Sequence, residues 1–381
     1  MRINRIALNG FRNYDFETVE LAPGTNVIFG ENAQGKTNLL EAVYMTATGR
    51  SFRTRFDKEL IGFNCDSAEI LADIVSHDRE QTVKIRLRQG LPKQITVNAV
   101  KKTASELSGT VTAVLFSPDD LNLIKDGAAA RRRLMDNAIS QIRPRYAEYL
   151  SQFNRLLESK TRILKDSDIK PSLLDTIDEF SDGLCRASAQ LIRYRASFAE
   201  RLKAEAAPIH SDFSGSEEKL GIEYQTVSTV KDPLGSAQEI YYDLCEHLEK
   251  HRRAELECRQ CLTGAHKDDL VISVNGKIAR SFASQGQTRT AALSLKLAER
   301  EIFLDETGEY PILLLDDVLS ELDTKRQEFV LNRIGGGQTL ITCCEDEGIS
   351  MRTGGRVLNV SGGNVKRVES GEWRVESGEW S

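Results

Sequence analysis

Hydrophobic and polar positions along the chain fall into three stretches. Over residues 1–118 short apolar runs alternate with polar positions at a period of two, which predicts a hairpin over 3–21 and strands at 70–74, 83–87 and 95–97. From Pro118 the period becomes helical. Residues 121–164 and 172–206 are rich in Leu, Arg, Glu, Lys and Ala, and Leu184, Ala187, Leu191, Tyr194 and Phe198 share one face. A polar break at 211–218 precedes a predicted strand at 222–227 and a helix over 236–259. Strands then return at 270–274, and a segment opening at Ser284 leads into a helix with Ala291, Leu295, Ala298 and Ile302 on one face. The unbroken apolar run at 311–315 reads as a parallel strand buried on both faces, with 340–342 as its neighbour. The predicted fold is α/β, with a head built from both chain ends (1–118 and 259–365) and a mostly helical inserted arm (119–258). Whether the 222–227 strand belongs to arm or head is left open. A polar tail (366–381) carries one heptad duplicated once, at 367–373 and 374–380, too short for a repeat architecture.

The segment Gly30-Glu31-Asn32-Ala33-Gln34-Gly35-Lys36-Thr37 identifies the head as a P-loop nucleotide-binding unit. It is a complete G-x-x-x-x-G-K-[ST] phosphate loop between the apolar run 27–29 and a predicted helix Lys36–Thr48 with Leu40, Val43 and Ala47 on one face. Gly30 and Gly35 admit backbone conformations closed to other residues, which turns the amides of Glu31, Asn32, Ala33 and Gln34 toward a polyphosphate at a helix N-terminus. Lys36 is expected to reach the β and γ phosphates and to assist catalysis, and the Thr37 hydroxyl to ligate Mg2+, a cation that prefers oxygen. Ile312-Leu313-Leu314-Leu315-Asp316-Asp317 is a buried strand ending in two carboxylates. Asp316 is expected to hold Mg2+ and Asp317 to orient the attacking water; the plainer reading is a strand end capped by acids.

Ser284-Gln285-Gly286-Gln287 stands before that strand at a helix entrance. Its hydroxyl and first-turn amides, Gly286 included, form an anion site, or else simply a helix cap. Phosphate loop, serine loop and acidic strand in this order make the ATP-binding-cassette arrangement. There the serine loop of one subunit closes on the γ-phosphate held by another, so the expected assembly is a homodimer with ATP sandwiched at its interface. Ser320-Glu321-Leu322-Asp323 fits the loop that crosses such an interface.

A net charge of −6 means that any DNA contact comes from local patches. Arg50, Arg53 and Arg55 form one such cluster and Arg131, Arg132 and Arg133 another; each reads equally as a solvated face or a salt-bridge set, and Arg50 also as a nucleotide contact. No run is long and apolar enough to span a bilayer and no signal peptide opens the chain, so the expectation is a cytoplasmic protein without a membrane partner. The seven cysteines then read as reduced thiols. Cys258-x-x-Cys261 with His266 lacks a second ligand pair for zinc, and Cys343-Cys344 reads as core.

The chain resembles the ATP-binding-cassette family of chromosome-maintenance and repair ATPases, in its recombination-mediator branch. The segments that carry the resemblance are 30–42, 48–54, Pro118-Asp119-Asp120-Leu121 with the 131–133 arginines, Gly264-Ala265-His266-Lys267-Asp268-Asp269 and 313–323. The resemblance implies ATP-dependent dimerisation on DNA, recognition of gapped or single-strand/duplex junctions, and slow ATP hydrolysis. It also implies RecR and RecO as partners in loading the RecA recombinase. Three departures matter. Asp317 replaces the commoner Glu and is one methylene shorter, implying low turnover. No histidine follows the 340–342 strand, leaving Thr342 as a candidate in place of the usual γ-phosphate sensor. Ala265 and Lys267 replace the usual Pro and Arg of Gly-Pro-His-Arg-Asp-Asp. Two other readings are weaker. A transporter motor subunit has a more compact helical subdomain, and a chromosome organiser needs a long heptad-bearing arm that is absent here.

Overall fold

The computed structural model describes residues 1–107, 109–344 and 348–368. The chain divides into two compact units, Met1–Asp120 with the chain from Phe303 onward, and Leu121–Ile302.

The first unit holds two six-stranded sheets. One is antiparallel, in the order Tyr14–Glu20, Arg2–Phe11, Ser67–Ser76, Arg79–Arg88, Leu91–Val97 and Val100–Lys102. The other runs Asn364–Val368, Arg356–Ser361, Thr25–Phe29, Thr339–Cys343, Ile312–Asp316 and Ala113–Phe116, and is parallel except for its first strand. Ile6 and Ile70 of the antiparallel sheet, Leu39 and Val43 of the helix Lys36–Thr48, and Ile28, Leu314 and Leu340 of the parallel sheet belong to one core cluster. The helix therefore has no solvent face over residues 39–47, rather than the single apolar face read from its sequence. It ends where Gly49 adopts a left-handed φ of 66°.

Three strands of the parallel sheet carry no clear sequence signal. Ala113–Phe116 has only four residues, and Arg356–Ser361 and Asn364–Val368 are interrupted by Asn, Lys and Arg. The last of these contains residues 366–368 of the expected tail; most of the duplicated heptads lie outside the described residues.

The second unit is built on the helices Ala128–Ile142, Pro144–Asp166, Ile177–Ser214 and Ala237–Cys258, with the start of Gln285–Thr307. The stretch of helical spacing over 121–164 is divided at Pro144, whose missing N–H is tolerated only in a first turn. Strand Leu220–Gln225 pairs with Asp269–Val274, which also pairs with Lys277–Ile278. That pairing fixes the strand left open above. It belongs to this unit, which reaches Ile302 instead of ending at 258, and takes the serine loop with it.

Arg195, almost fully buried, holds the unit together. Its guanidinium donates to Asp136 (2.9 Å), to Asp268 (2.7 Å) and to the Ala265 carbonyl (2.6 Å). Asp268, with no solvent exposure, also accepts from Tyr224 (2.5 Å) and Thr226 (2.7 Å). The Gly264–Asp269 segment is thus a structural strut. Residue 265 enters through its backbone carbonyl and Lys267 is exposed, so their departures from the family pattern leave the strut intact. Arg195→Met, which strands two carboxylates, is expected to cost roughly 3–5 kcal/mol in urea unfolding of the full chain; a loss below about 1 kcal/mol would contradict this role.

Candidate nucleotide site

The carboxyl ends of three neighbouring parallel strands set the site. Thr25–Phe29, Thr339–Cys343 and Ile312–Asp316 lie side by side, with register pairs Cys343 to Phe29 and Asp316 to Thr342. Ligands of open parallel sheets bind at this edge. The phosphate loop leaves the first strand at Gly30, with φ 151° and a notional Cβ only 2.2 Å from the Val360 carbonyl oxygen, so no larger residue fits. Gly35, at φ 122°, is crowded by the side chains of Asn13 and Tyr14.

Residues outside the motif hold the loop. Tyr14 donates its hydroxyl to the Gly35 carbonyl (2.9 Å), and Asn13 donates its amide to that of Gln34 (2.8 Å). The Gly362 N–H reaches the Gln34 side chain (2.6 Å) and the Gly363 N–H its carbonyl (3.1 Å). Nothing in the sequence marks Asn13, Tyr14 or the 362–363 turn as loop partners; the first unit's two sheets bring them there. Glu31, Asn32 and Ala33 are exposed, with Ala33 in a left-handed conformation. Cys344, expected in the core, is instead exposed and donates its thiol to Asn32 Oδ1 (3.1 Å), while Cys343 is buried.

The motif side chains converge. Lys36 is buried and curls over the loop, its ammonium donating to the carbonyls of Gly30 and Glu31. Thr37 Oγ1 donates to Asp316 Oδ1 (2.9 Å), and so does Thr342 Oγ1 (2.9 Å). The Asp317 N–H donates to Thr342 Oγ1 (2.8 Å), and Asp317 sits at φ 50°. Thr342 thus ties the Asp316 carboxylate to the Asp317 backbone. Burial, opposed by the Thr37 and Thr342 hydrogen bonds and aided by the neighbouring Asp317, raises the Asp316 pKa. Asp317 Oδ1 is buried without a hydrogen-bond partner. A hydroxyl and a carboxylate oxygen in contact, beside an unsatisfied carboxylate, form an oxygen donor set that fits Mg2+.

In the second unit Ser284 is exposed and caps the helix Gln285–Thr307. Its Oγ accepts from the Gln287 N–H (3.2 Å), and Gln287 Oε1 accepts from the Ser284 N–H (2.9 Å), forming a capping box. These bonds are those of a helix cap. Gly286 lies in its first turn.

The arginine clusters separate. Arg131 is buried, pairs with Asp269 through two hydrogen bonds (2.8 and 2.9 Å) and donates to the carbonyls of Leu123, Ile124 and Asp126. It is a structural residue, a correction to its reading as a DNA contact. Arg132 is half-buried and donates to the Asp268 carbonyl (2.6 Å). Arg53 donates to Asn38 Oδ1 (2.7 Å) and lies 3.7 Å from Glu41, on the phosphate-loop helix, and its charge acts on Asp316. Arg53, rather than Arg50, thus stands beside the nucleotide site. Arg50, Arg55 and Arg133 are exposed and form no ion pair among the described residues.

Comparison with known proteins settles the family. The family model described as RecF/RecN/SMC N terminal domain matches residues 2–357. The DNA replication and repair protein RecF of Acetivibrio thermocellus is 39% identical over 372 residues, covering 97% of this chain and 99% of that protein. The chain belongs to the RecF family. RecF of Agathobacter rectalis is 40% identical over 344 residues, 90% of this chain and 92% of that protein. Among solved structures, that of the recombination mediator protein RecF-ATPrS in the RecFOR pathway has a TM-score of 0.89 at 34% identity, covering 97% and 98% of the two chains. The Smc head of Pyrococcus furiosus, at 17% identity and a TM-score of 0.54 over 96% of this chain and 95% of that one, shares the fold. The fold is therefore the ATP-binding-cassette type expected for the RecF family, and membership sets aside the transporter-motor reading. No helix among the described residues is long and apolar enough to cross a membrane.

Proposed function

We propose that the chain is an ATP-dependent DNA-binding protein of replication and recombinational repair, working as a homodimer with ATP enclosed between two copies. The observation that carries this reading is the convergence of Lys36, Thr37, Asp316, Asp317 and Thr342 at one sheet edge, while the serine loop belongs to the other unit of the chain. The phosphate-loop amides and Lys36 bind the triphosphate. Thr37 and Asp316 would hold Mg2+, which would supply neutralisation of the phosphate charge. Asp317 orients water, and Ser284 of a second copy closes the pocket. One methylene shorter than the commoner Glu, the Asp317 side chain positions the water less well, so hydrolysis is slow and serves to release the dimer from gapped or single-strand/duplex junction DNA. By family relationship the partners are RecR and RecO, the consequence is loading of RecA, and the compartment is the cytoplasm.

Fluorescence anisotropy with gapped DNA tests this. ATP is expected to raise affinity, and the affinity to fall steeply between about 50 and 200 mM salt. Arg50→Ala, Arg55→Ala and Arg133→Ala should each reduce the salt slope by about one, whereas Arg131→Ala should leave it unchanged and lower stability instead. Affinity indifferent to ATP would contradict the proposal.

A further inference from the structure

The serine loop rests on a chain of polar side chains that none of the nucleotide motifs includes. Gln287 Nε2 donates to Glu218 Oε1 at 2.8 Å. The second oxygen of Glu218 faces Nε2 of His210 at 3.2 Å. His210 has no solvent exposure, and its Nδ1 lies 3.4 Å from Ser294 Oγ, one of the buried polar groups of the same helix that Ser284 caps. Ser294 in turn donates to the Thr290 carbonyl at 2.9 Å. The long helix Ile177–Ser214 is thereby joined through Glu218 to the first turn of Gln285–Thr307.

The donor and acceptor inventory makes this chain directional. A carboxylate only accepts, so Gln287 must turn its NH2 toward Glu218 and its carbonyl oxygen away. That oxygen then accepts the Ser284 N–H (2.9 Å), as a capping box requires. The Gln287 backbone N–H donates to Ser284 Oγ (3.2 Å), so the hydroxyl oxygen is already an acceptor. Its own proton has no acceptor among the described residues and is left for a ligand oxygen. The other end is fixed by the same logic. Facing a carboxylate, His210 carries its proton on Nε2, which leaves Nδ1 to accept from Ser294 when that hydroxyl turns from the Thr290 carbonyl; burial lowers the ring's pKa. Were Gln287 free to flip, its NH2 would oppose the Ser284 N–H, donor against donor, and the box would open.

We propose that Glu218, braced by His210, is a positioning residue for Ser284: it fixes the Gln287 amide so that the serine hydroxyl presents its proton to the γ-phosphate of a triphosphate bound by a second copy of this chain. The inference rests on the composite-pocket reading given above. It extends that pocket's support to two residues in the segment around the polar break at 211–218.

Four variants test it, with two readouts. Binding of a fluorescent ATP analogue reports the phosphate loop, and the dissociation constant of the ATP-driven dimer, from analytical ultracentrifugation, reports the serine loop. Glu218→Ala should leave analogue binding unchanged and weaken the dimer about tenfold, the scale of mispositioned hydrogen bonds to a charged group. Glu218→Gln should restore it, because a glutamine can turn its oxygen to Gln287 and its NH2 to His210 once the imidazole proton moves to Nδ1. In a Ser284→Ala background, Glu218→Ala should add nothing. The proposal is overturned if Glu218→Ala dimerises like wild type, if Glu218→Gln is as deficient as Glu218→Ala, or if the Glu218→Ala defect persists in full without Ser284. A normal dimer in Ser284→Ala alone would instead overturn the composite pocket itself, and this inference with it.

Discussion

Lys36→Ala is expected to lower nucleotide affinity by roughly two to three orders of magnitude. The Lys36 ammonium is buried against the carbonyls of Gly30 and Glu31, so it is already held at the mouth of the phosphate loop. A triphosphate exchanges those neutral acceptors for charged ones in a poorly hydrated site, where hydrogen bonds to charged groups contribute about 1.5–3 kcal/mol each. Two such bonds account for the expected loss. The fold should tolerate the change, because alanine is a strong helix former and removes a buried charge. Calorimetric titration with ATP and a melting curve separate the two effects. Affinity within tenfold of wild type would show that the backbone amides bind phosphate without the lysine.

Asp317→Asn should lower turnover by about 10²-fold or more, the usual worth of a positioned general base, while sparing ATP binding. The substitution is conservative in every respect except charge. Asn tolerates the left-handed φ of 50° found here, and the N–H bond to Thr342 is a backbone contact that any residue keeps. Oδ1 of Asp317 is buried and unsatisfied, so neutralising the group removes a desolvation penalty and should raise the melting temperature slightly. Lower turnover together with greater stability is the signature of a group retained for chemistry. Steady-state phosphate release measures the first and thermal unfolding the second; unchanged turnover would assign the water-orienting role elsewhere.

What was legible in the sequence was the chemistry carried by contiguous residues. The phosphate loop and the acidic strand each need a fixed string of residue types, and their surroundings could be read as strand, loop and helix. The run at 311–315 also revealed a buried parallel strand, found at Ile312–Asp316, because both of its faces are covered. Less visible was whatever depends on packing between distant segments. The helix Lys36–Thr48 reads as one-faced only if a single layer covers it, yet it is enclosed by two sheets. The arm boundary at 258 followed composition, which does not change where the unit ends, because the helix Gln285–Thr307 runs through Ile302 without a break. Arg131, Arg132 and Arg133 look like one patch in the sequence, but successive helical positions point about 100° apart. One is therefore buried on Asp269, the next half-buried and the third exposed. Thr342 was singled out by position alone, and its bonds to Asp316 and to the Asp317 N–H come from the pairing of neighbouring strands. Asn13, Tyr14, Glu218 and His210 had no local signal at all, since their partners are set by tertiary structure.

The central claim is a pocket completed by the serine loop of a second copy, and light scattering on two hydrolysis-impaired proteins tests it most directly. Asp317→Asn with ATP and Mg2+ should have about twice the chain mass of 42.6 kDa and return to that mass without nucleotide. Asp317→Asn combined with Ser284→Ala should bind ATP equally well yet remain a monomer. A stable ATP-dependent dimer in the combined variant, or no dimer in Asp317→Asn alone, would contradict the account.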